Sequence, residues 1–263
     1  MVKKIIFGSI IALGLAFMFV PIILLMIFSF SESARISFES YQFGFGVYER
    51  LFSDRDLWSA VFNTLFIAVT SSLIATIIAT MACVGIVRLR RRTRGAVMGL
   101  TLVPLINAAI VTSFALLIFF TTVGFMHMDF LRLILAHTLI CLPVAVLVML
   151  PRVRSLDPSL FDAATDLGAR PSVALFTVVI PQLIPTMIGA FLVGFTLSLD
   201  DFIITHYNSG GIQTISTFVL TRVRNPDVAE FRALSTIVFV AVLLGLVAVN
   251  IYQSRKRKRR KEV

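Results

Sequence analysis

The chemistry-bearing residues most out of keeping with their surroundings are Asp200 and Asp201, which close an apolar run beginning at Leu183. A carboxylate at bilayer depth costs about 2.5–3.5 kcal/mol on insertion scales, so one found there faces a cavity or a partner group. Two adjacent carboxylates also repel and call for a nearby cation. On a helix they point about 100° apart. Ser198, Asp201 and Thr205 then share one face, and Thr196 and Asp200 another. A substrate path is expected along Asp201, with Ser198 and Thr205 beside it and Asp200 as a second acidic contact. The alternative is that both acids end the helix at the outer surface, against solvent or a loop arginine such as Arg222.

Other chemistries lack their residues. The five lysines (Lys3, Lys4, Lys256, Lys258, Lys261) all lie near the chain ends, and no Gly-x-x-x-x-Gly-Lys-Ser/Thr loop exists to cradle a phosphate. His127, His137 and His206 form no His-Glu-x-x-His pair, and no Gly-x-Ser-x-Gly elbow is present. The chain is therefore expected to be no enzyme, to hold no metal and to carry no cofactor. His137 reads as a polar contact inside a helix bundle, and Cys83 and Cys141, both within apolar runs, as buried packing residues.

The elements that must position these groups are membrane helices. Of 263 residues, 58% are hydrophobic and 14% charged, and the mean hydropathy is +0.95. Such a composition belongs to a polytopic membrane protein. A pI near 10.4 could suggest nucleic acid. The basic residues, however, stand in short blocks beside apolar runs, as suits anionic lipid. Spans of roughly 20 residues are expected near Ile5–Phe30, Trp58–Val87, Ala96–Val123, Leu131–Leu150, Leu183–Thr205 and Ala233–Tyr252. Six spans divide the 24 Lys and Arg residues into 17 on the side of both termini and 7 on the other. The positive-inside rule then places both termini in the cytoplasm. The outer loop from Ser31 to Leu57 is rich in aromatic residues, and Val47–Phe52 is either a short interfacial helix or a loop with aromatic anchors.

One cytoplasmic stretch has helix chemistry of its own. Asp157 can cap a helix that starts at Pro158, whose missing N–H costs nothing there. Leu160, Ala163, Ala164 and Leu167 fall at i, i+3, i+4 and i+7, an apolar stripe. Gly168 suits a left-handed helix end, and Pro171 a restart.

The spacing Asp162-Ala163-Ala164, three residues, Gly168, nine residues, Val178-x-Ile180-Pro181 resembles the EAA loop of ABC-importer permeases, with Asp162 where that family usually has Glu. The run from Ala136 to Pro143, the Phe195–Asp201 segment, Asn63–Ala68 and Ala233–Thr236 are similar to the spermidine/putrescine permeases in particular. One departure stands out. Where those permeases usually read Pro-Asp-Ile in the third span, this chain has Ala108-Ala109-Ile110 after Pro104, so the polar, helix-breaking element is expected to be missing.

The resemblance implies an all-α, six-span permease of the type I ABC importer fold. Residues 1–254 would form the transmembrane domain, with the coupling loop at 156–181, and 255–263 a basic cytoplasmic tail. It would sit in a bacterial inner membrane, among lipid, without nucleic acid. Leu160, Phe161, Asp162, Ala163, Ala164, Leu167, Gly168 and Ala169 would couple it to a dimer of ATPase subunits that carry the ATP and Mg. A second homologous permease and an external substrate-binding protein would complete the importer. The substrate would be a polyamine; the alternatives are an amino-acid derivative or ferric ion, and outside this class a channel or scaffold.

Overall fold

A computed structural model describes residues 2–33, 39–223, 230–240 and 243–244. The side chain of Arg222, the basic tail 255–263 and the second half of the expected sixth span lie outside the described residues. The chain divides into two compact units, Met1–Trp58 with Val219–Val263, and Ser59–Phe218.

In the first unit, helix α1 (Val2–Ser29) is followed by an aromatic loop and a short helix α2 (Gly46–Ser53). A single antiparallel bridge joins Ser31 to Phe43. Around it Phe30 packs against Phe43, Phe45 and Tyr48, and the Tyr48 hydroxyl meets Ser29 Oγ at 2.8 Å. The Val47–Phe52 segment is thus helical, anchored through buried Val47 and Leu51. Residues 230–240, the start of the expected sixth span, are helical (α12), and Arg232 donates to the Ser33 carbonyl at 2.6 Å.

The second unit is built on α3 (Arg55–Arg88), α6 (Asp129–Arg154) and α9 (Ile180–Asp200). Lipid gives no hydrophobic drive between helices, so they associate where small side chains let backbones approach. Between Ala68 and Cys83 the buried residues of α3 are all small: Ala68, Ser71, Ser72, Ala75, Thr76, Ala79, Thr80 and Cys83. Its hydroxyls return to the carbonyl four residues back, as Thr76 does to Ser72 at 2.8 Å, and so leave no polar group unmet. Cys141 Sγ on α6 donates to the Gly194 carbonyl of α9 at 3.2 Å, and Cys83 Sγ to the Val146 carbonyl at 3.7 Å. Both cysteines are buried. At Gly194 a methyl group would touch Ser72 Cβ at 3.4 Å and Cys141 Cβ at 3.6 Å, so the three helices meet at van der Waals distance there.

Two expected spans are not single rods. The third is α4 (Arg91–Ile106) and α5 (Ala109–Val123), bent by 103°. Pro104 removes one helical N–H near the end of α4, and Asn107 and Ala108 take extended ψ angles of 148° and 132°. The helix-breaking element expected to be missing is therefore present, supplied by Asn107-Ala108 rather than by an acidic residue.

The fifth span begins earlier and ends sooner than Leu183–Thr205. A continuous helical stretch runs Pro171–Asp200, comprising α8 (Pro171–Ala174), a π-helical turn (Leu175–Val179) and α9. The wide turn lies just before Pro181, whose ring would otherwise press on the carbonyl of Thr177. At Asp201 the backbone turns extended (ψ 120°), and α10 (Ile203–Asn208) begins. Among the described residues, four helices are long and apolar enough to cross a membrane, or five with the bent pair.

Candidate substrate cavity and coupling loop

The two helix breaks lie side by side. A cavity of about 470 Å3 is lined by Pro104, Leu105, Asn107, Ala109 and Thr112 from the α4–α5 bend, by Ile140 of α6, and by Leu197 with Asp200 to Ile204 from the α9–α10 break. Among the described residues, Asp200 and Asp201 are its only ionisable lining residues. Asn107 Nδ2 donates to Thr112 Oγ1 at 3.4 Å across the bend.

The two acids divide as the helix geometry predicts, but the helix does not continue through them. Asp200 is exposed and also lines a second groove with Leu192, Thr196 and Leu197. Asp201 has a side chain only 12% exposed. Its Oδ2 accepts the Thr205 N–H at 3.0 Å and the Thr205 hydroxyl at 3.3 Å, as a cap on the first turn of α10. Thr205 therefore approaches Asp201 because α10 restarts there, not because one helix runs on.

Behind Asp201 sits His137 of α6. Its Nδ1 meets Ser198 Oγ at 2.7 Å and its Nε2 meets Thr205 Oγ1 at 2.9 Å, while Asp201 Oδ2 is 4.0 Å from Nε2. The free space among these side chains is about 10 Å3, no more than one water requires. Ser198 and Thr205, expected on the substrate path, are thus turned into a closed polar knot rather than toward the open cavity. His137 is the bundle contact expected of it. The break at Asn107 was missed, although Pro104 followed by Asn107 carried its signal.

On the opposite side of the bundle, α7 (Ser159–Asp166) is the expected loop helix. Pro158 already has helical angles, and Asp157 Oδ1 accepts the Ser159 N–H at 3.0 Å. That backbone N–H, helped by the Ser159 hydroxyl, holds the Asp157 carboxyl below its ordinary range. The helix ends in a Schellman turn: Gly168 has φ +88°, its N–H bonds to the Thr165 carbonyl at 2.9 Å, and Ala169 N–H bonds to Ala164 at 3.1 Å.

Most of the expected apolar stripe faces outward. Leu160 and Leu167 are 42% and 89% exposed, and Ala163 is exposed as well. Phe161 is the residue that turns inward, under the Arg88 guanidinium at 4.8 Å. Asp162 lines the same cleft beside Asp157 and Arg154. Ala164 and Ala169 are partly buried.

Residues 71–261 match the family described as the binding-protein-dependent transport system inner membrane component. The chain belongs to this family. Among curated relatives, this inner membrane component is 31% identical to the spermidine/putrescine transport system permease protein PotC of Haemophilus influenzae, over 92% of this chain and 93% of that one. It is also 31% identical to the putrescine transport system permease protein PotI of Escherichia coli K12, over 97% and 93%. Among solved structures it is similar to a chain of a bacterial ABC transporter involved in the import of the acidic polysaccharide alginate. The TM-score is 0.70 at 17% identity, covering 97% of this chain and 95% of that one. A second structure, of the alginate transporter in complex with an alginate pentasaccharide-bound periplasmic protein, matches at TM-score 0.62 and 18% identity, over 92% and 91%. These likenesses carry the importer fold.

Proposed function

We propose that this chain forms part of the translocation path of an ATP-driven importer for polyamines. The observation that carries the reading is the cavity at the two helix breaks, where Asp200 and Asp201 supply acidic charge and, among the described residues, the lining holds no basic side chain. An alkyl diamine or triamine fits such a lining: its ammonium groups meet the carboxylates, while its methylenes lie along Leu105, Leu197 and Ile203. An acidic solute would meet like charge. The relatives named for spermidine and putrescine transport support the same substrate class.

The partners follow from the family and the loop. Leu160, Ala163 and Leu167 present an apolar face exposed among the described residues, suited to a groove on an ATPase subunit. ATP and Mg belong to that subunit, two copies of which would serve this chain and a second, homologous permease. An external binding protein would deliver the substrate; the alginate transporter bound to its periplasmic protein supports that role. Both termini and α7 lie in the cytoplasm by the basic-residue count.

The test is uptake of labelled putrescine and spermidine into vesicles holding the complete importer, with an acidic oligosaccharide as the contrast. ATP-dependent accumulation of either amine is the expected result. Accumulation of neither would remove the polyamine reading while leaving the family assignment.

A further inference from the structure

The polar knot behind the cavity has a direction. A threonine hydroxyl carries one proton, and Thr205 Oγ1 lies 3.2 Å from the Asp201 carbonyl and 3.3 Å from its carboxylate. With that proton on either Asp201 acceptor, none is left for His137. The 2.9 Å contact with His137 Nε2 must then be donated by the imidazole, so Nε2 carries the hydrogen and Nδ1 accepts from Ser198 Oγ at 2.7 Å. In that arrangement every donor in the series Ser198, His137, Thr205 points toward Asp201. His137 is 2% exposed, and with about 10 Å3 of free space there is little room for water to substitute.

The same imidazole reaches both sides of a helix break. Ser198 lies near the end of α9 and Thr205 within α10, while His137 stands on α6. We infer that His137 is a positioning residue: as the Nε2–H tautomer it clamps α9 and α10 across the Asp201–Phe202 break and aims the Asp201 carboxylate at the cavity. Hydrogen bonds aligned in series polarise one another, so loss of the middle member loosens both ends.

The inference rests on the cavity being the substrate's route, and its test separates the two. Three variants grade the contacts. His137→Gln keeps a donor near Nε2, His137→Asn keeps a group only near Nδ1, and His137→Leu keeps volume alone. Labelled putrescine uptake by the complete importer is expected to show KM raised about tenfold in His137→Leu and His137→Asn, with maximal rate within about twofold of the parent. His137→Gln should return KM to within about threefold. Hydrogen exchange on the peptide covering 201–208 provides a readout that needs no substrate. The Thr205 N–H, donated to Asp201 Oδ2, should lose protection in His137→Leu and keep it in His137→Gln.

An unchanged KM with unchanged protection in His137→Leu overturns the inference. Rescue by Asn rather than Gln overturns the direction of the chain of bonds. If the parent transports neither amine, the polyamine reading falls, and the exchange measurement alone decides the clamp.

Discussion

Removing one charge at a time distinguishes the roles of the acidic pair. Asp201→Asn keeps an acceptor for the Thr205 N–H, so α10 stays capped, and only the charge facing the cavity is lost. Uptake of a polyamine should show KM raised about tenfold, the equivalent of about 1.4 kcal/mol. Asp200→Asn removes the exposed charge common to both grooves, and a smaller rise is expected because that carboxylate is already shared with solvent. A larger loss from Asp200→Asn would make the exposed acid the principal contact. At Gly194 the scale is steric. Gly194→Ala places a methyl at 3.4 Å from Ser72 Cβ, within ordinary contact, and should assemble normally. Gly194→Leu should cost about 1–3 kcal/mol by overpacking, read as a lower melting temperature of the purified complex.

At the scale of elements, α7 is held by its two ends. Gly168→Val puts a β-branched residue at φ +88°, a strain on the order of 1–2 kcal/mol, and should reduce transport-linked ATP hydrolysis while the protein still inserts. Asp157→Asn should preserve coupling and Asp157→Ala reduce it, because asparagine caps about as well as aspartate. The Asp157 carboxyl is held below its usual range, so its contribution to the helix is present at neutral pH and is lost only as pH falls through that lowered value. Coupling measured between pH 6 and 8 should therefore show no titration from this residue. Most of α7 was legible in the sequence, because caps and a glycine turn are local chemistry. The inward face was not: four residues at helical spacing formed an apolar stripe that mostly faces outward, while the ring that turns inward is Phe161, under the cation of Arg88 on α3. The break at Asn107-Ala108 escaped because its signal is short: Pro104 and one asparagine scarcely lower the hydropathy of the run. Likewise, Asp201 was legible as a charge out of place, while its cap on α10 depended on where the helix stopped.

For the whole molecule, orientation is the quantity on which the functional reading depends. A cysteine replacing exposed Ser172 should be labelled by an impermeant reagent only from the cytoplasm, and one replacing exposed Gln42 only from outside. Reversed labelling would separate α7 from any cytoplasmic ATPase. The spans themselves were readable as long apolar runs, and four single helices answer to them. What composition could not convey is that two runs are interrupted, and that both interruptions meet at one cavity.

Leu167, at 89% exposed, has a consequence for the cell's economy of subunits. Under the proposed orientation and docking, a chain made without an ATPase would display an apolar knob to the cytoplasm, the kind of surface by which surveillance proteases and chaperones recognise orphans. The steady-state amount of permease should then follow the amount of ATPase, whatever the rate of its own synthesis. Pulse-chase in cells lacking the ATPase should show a shortened half-life for the parent and a longer one for Leu167→Gln.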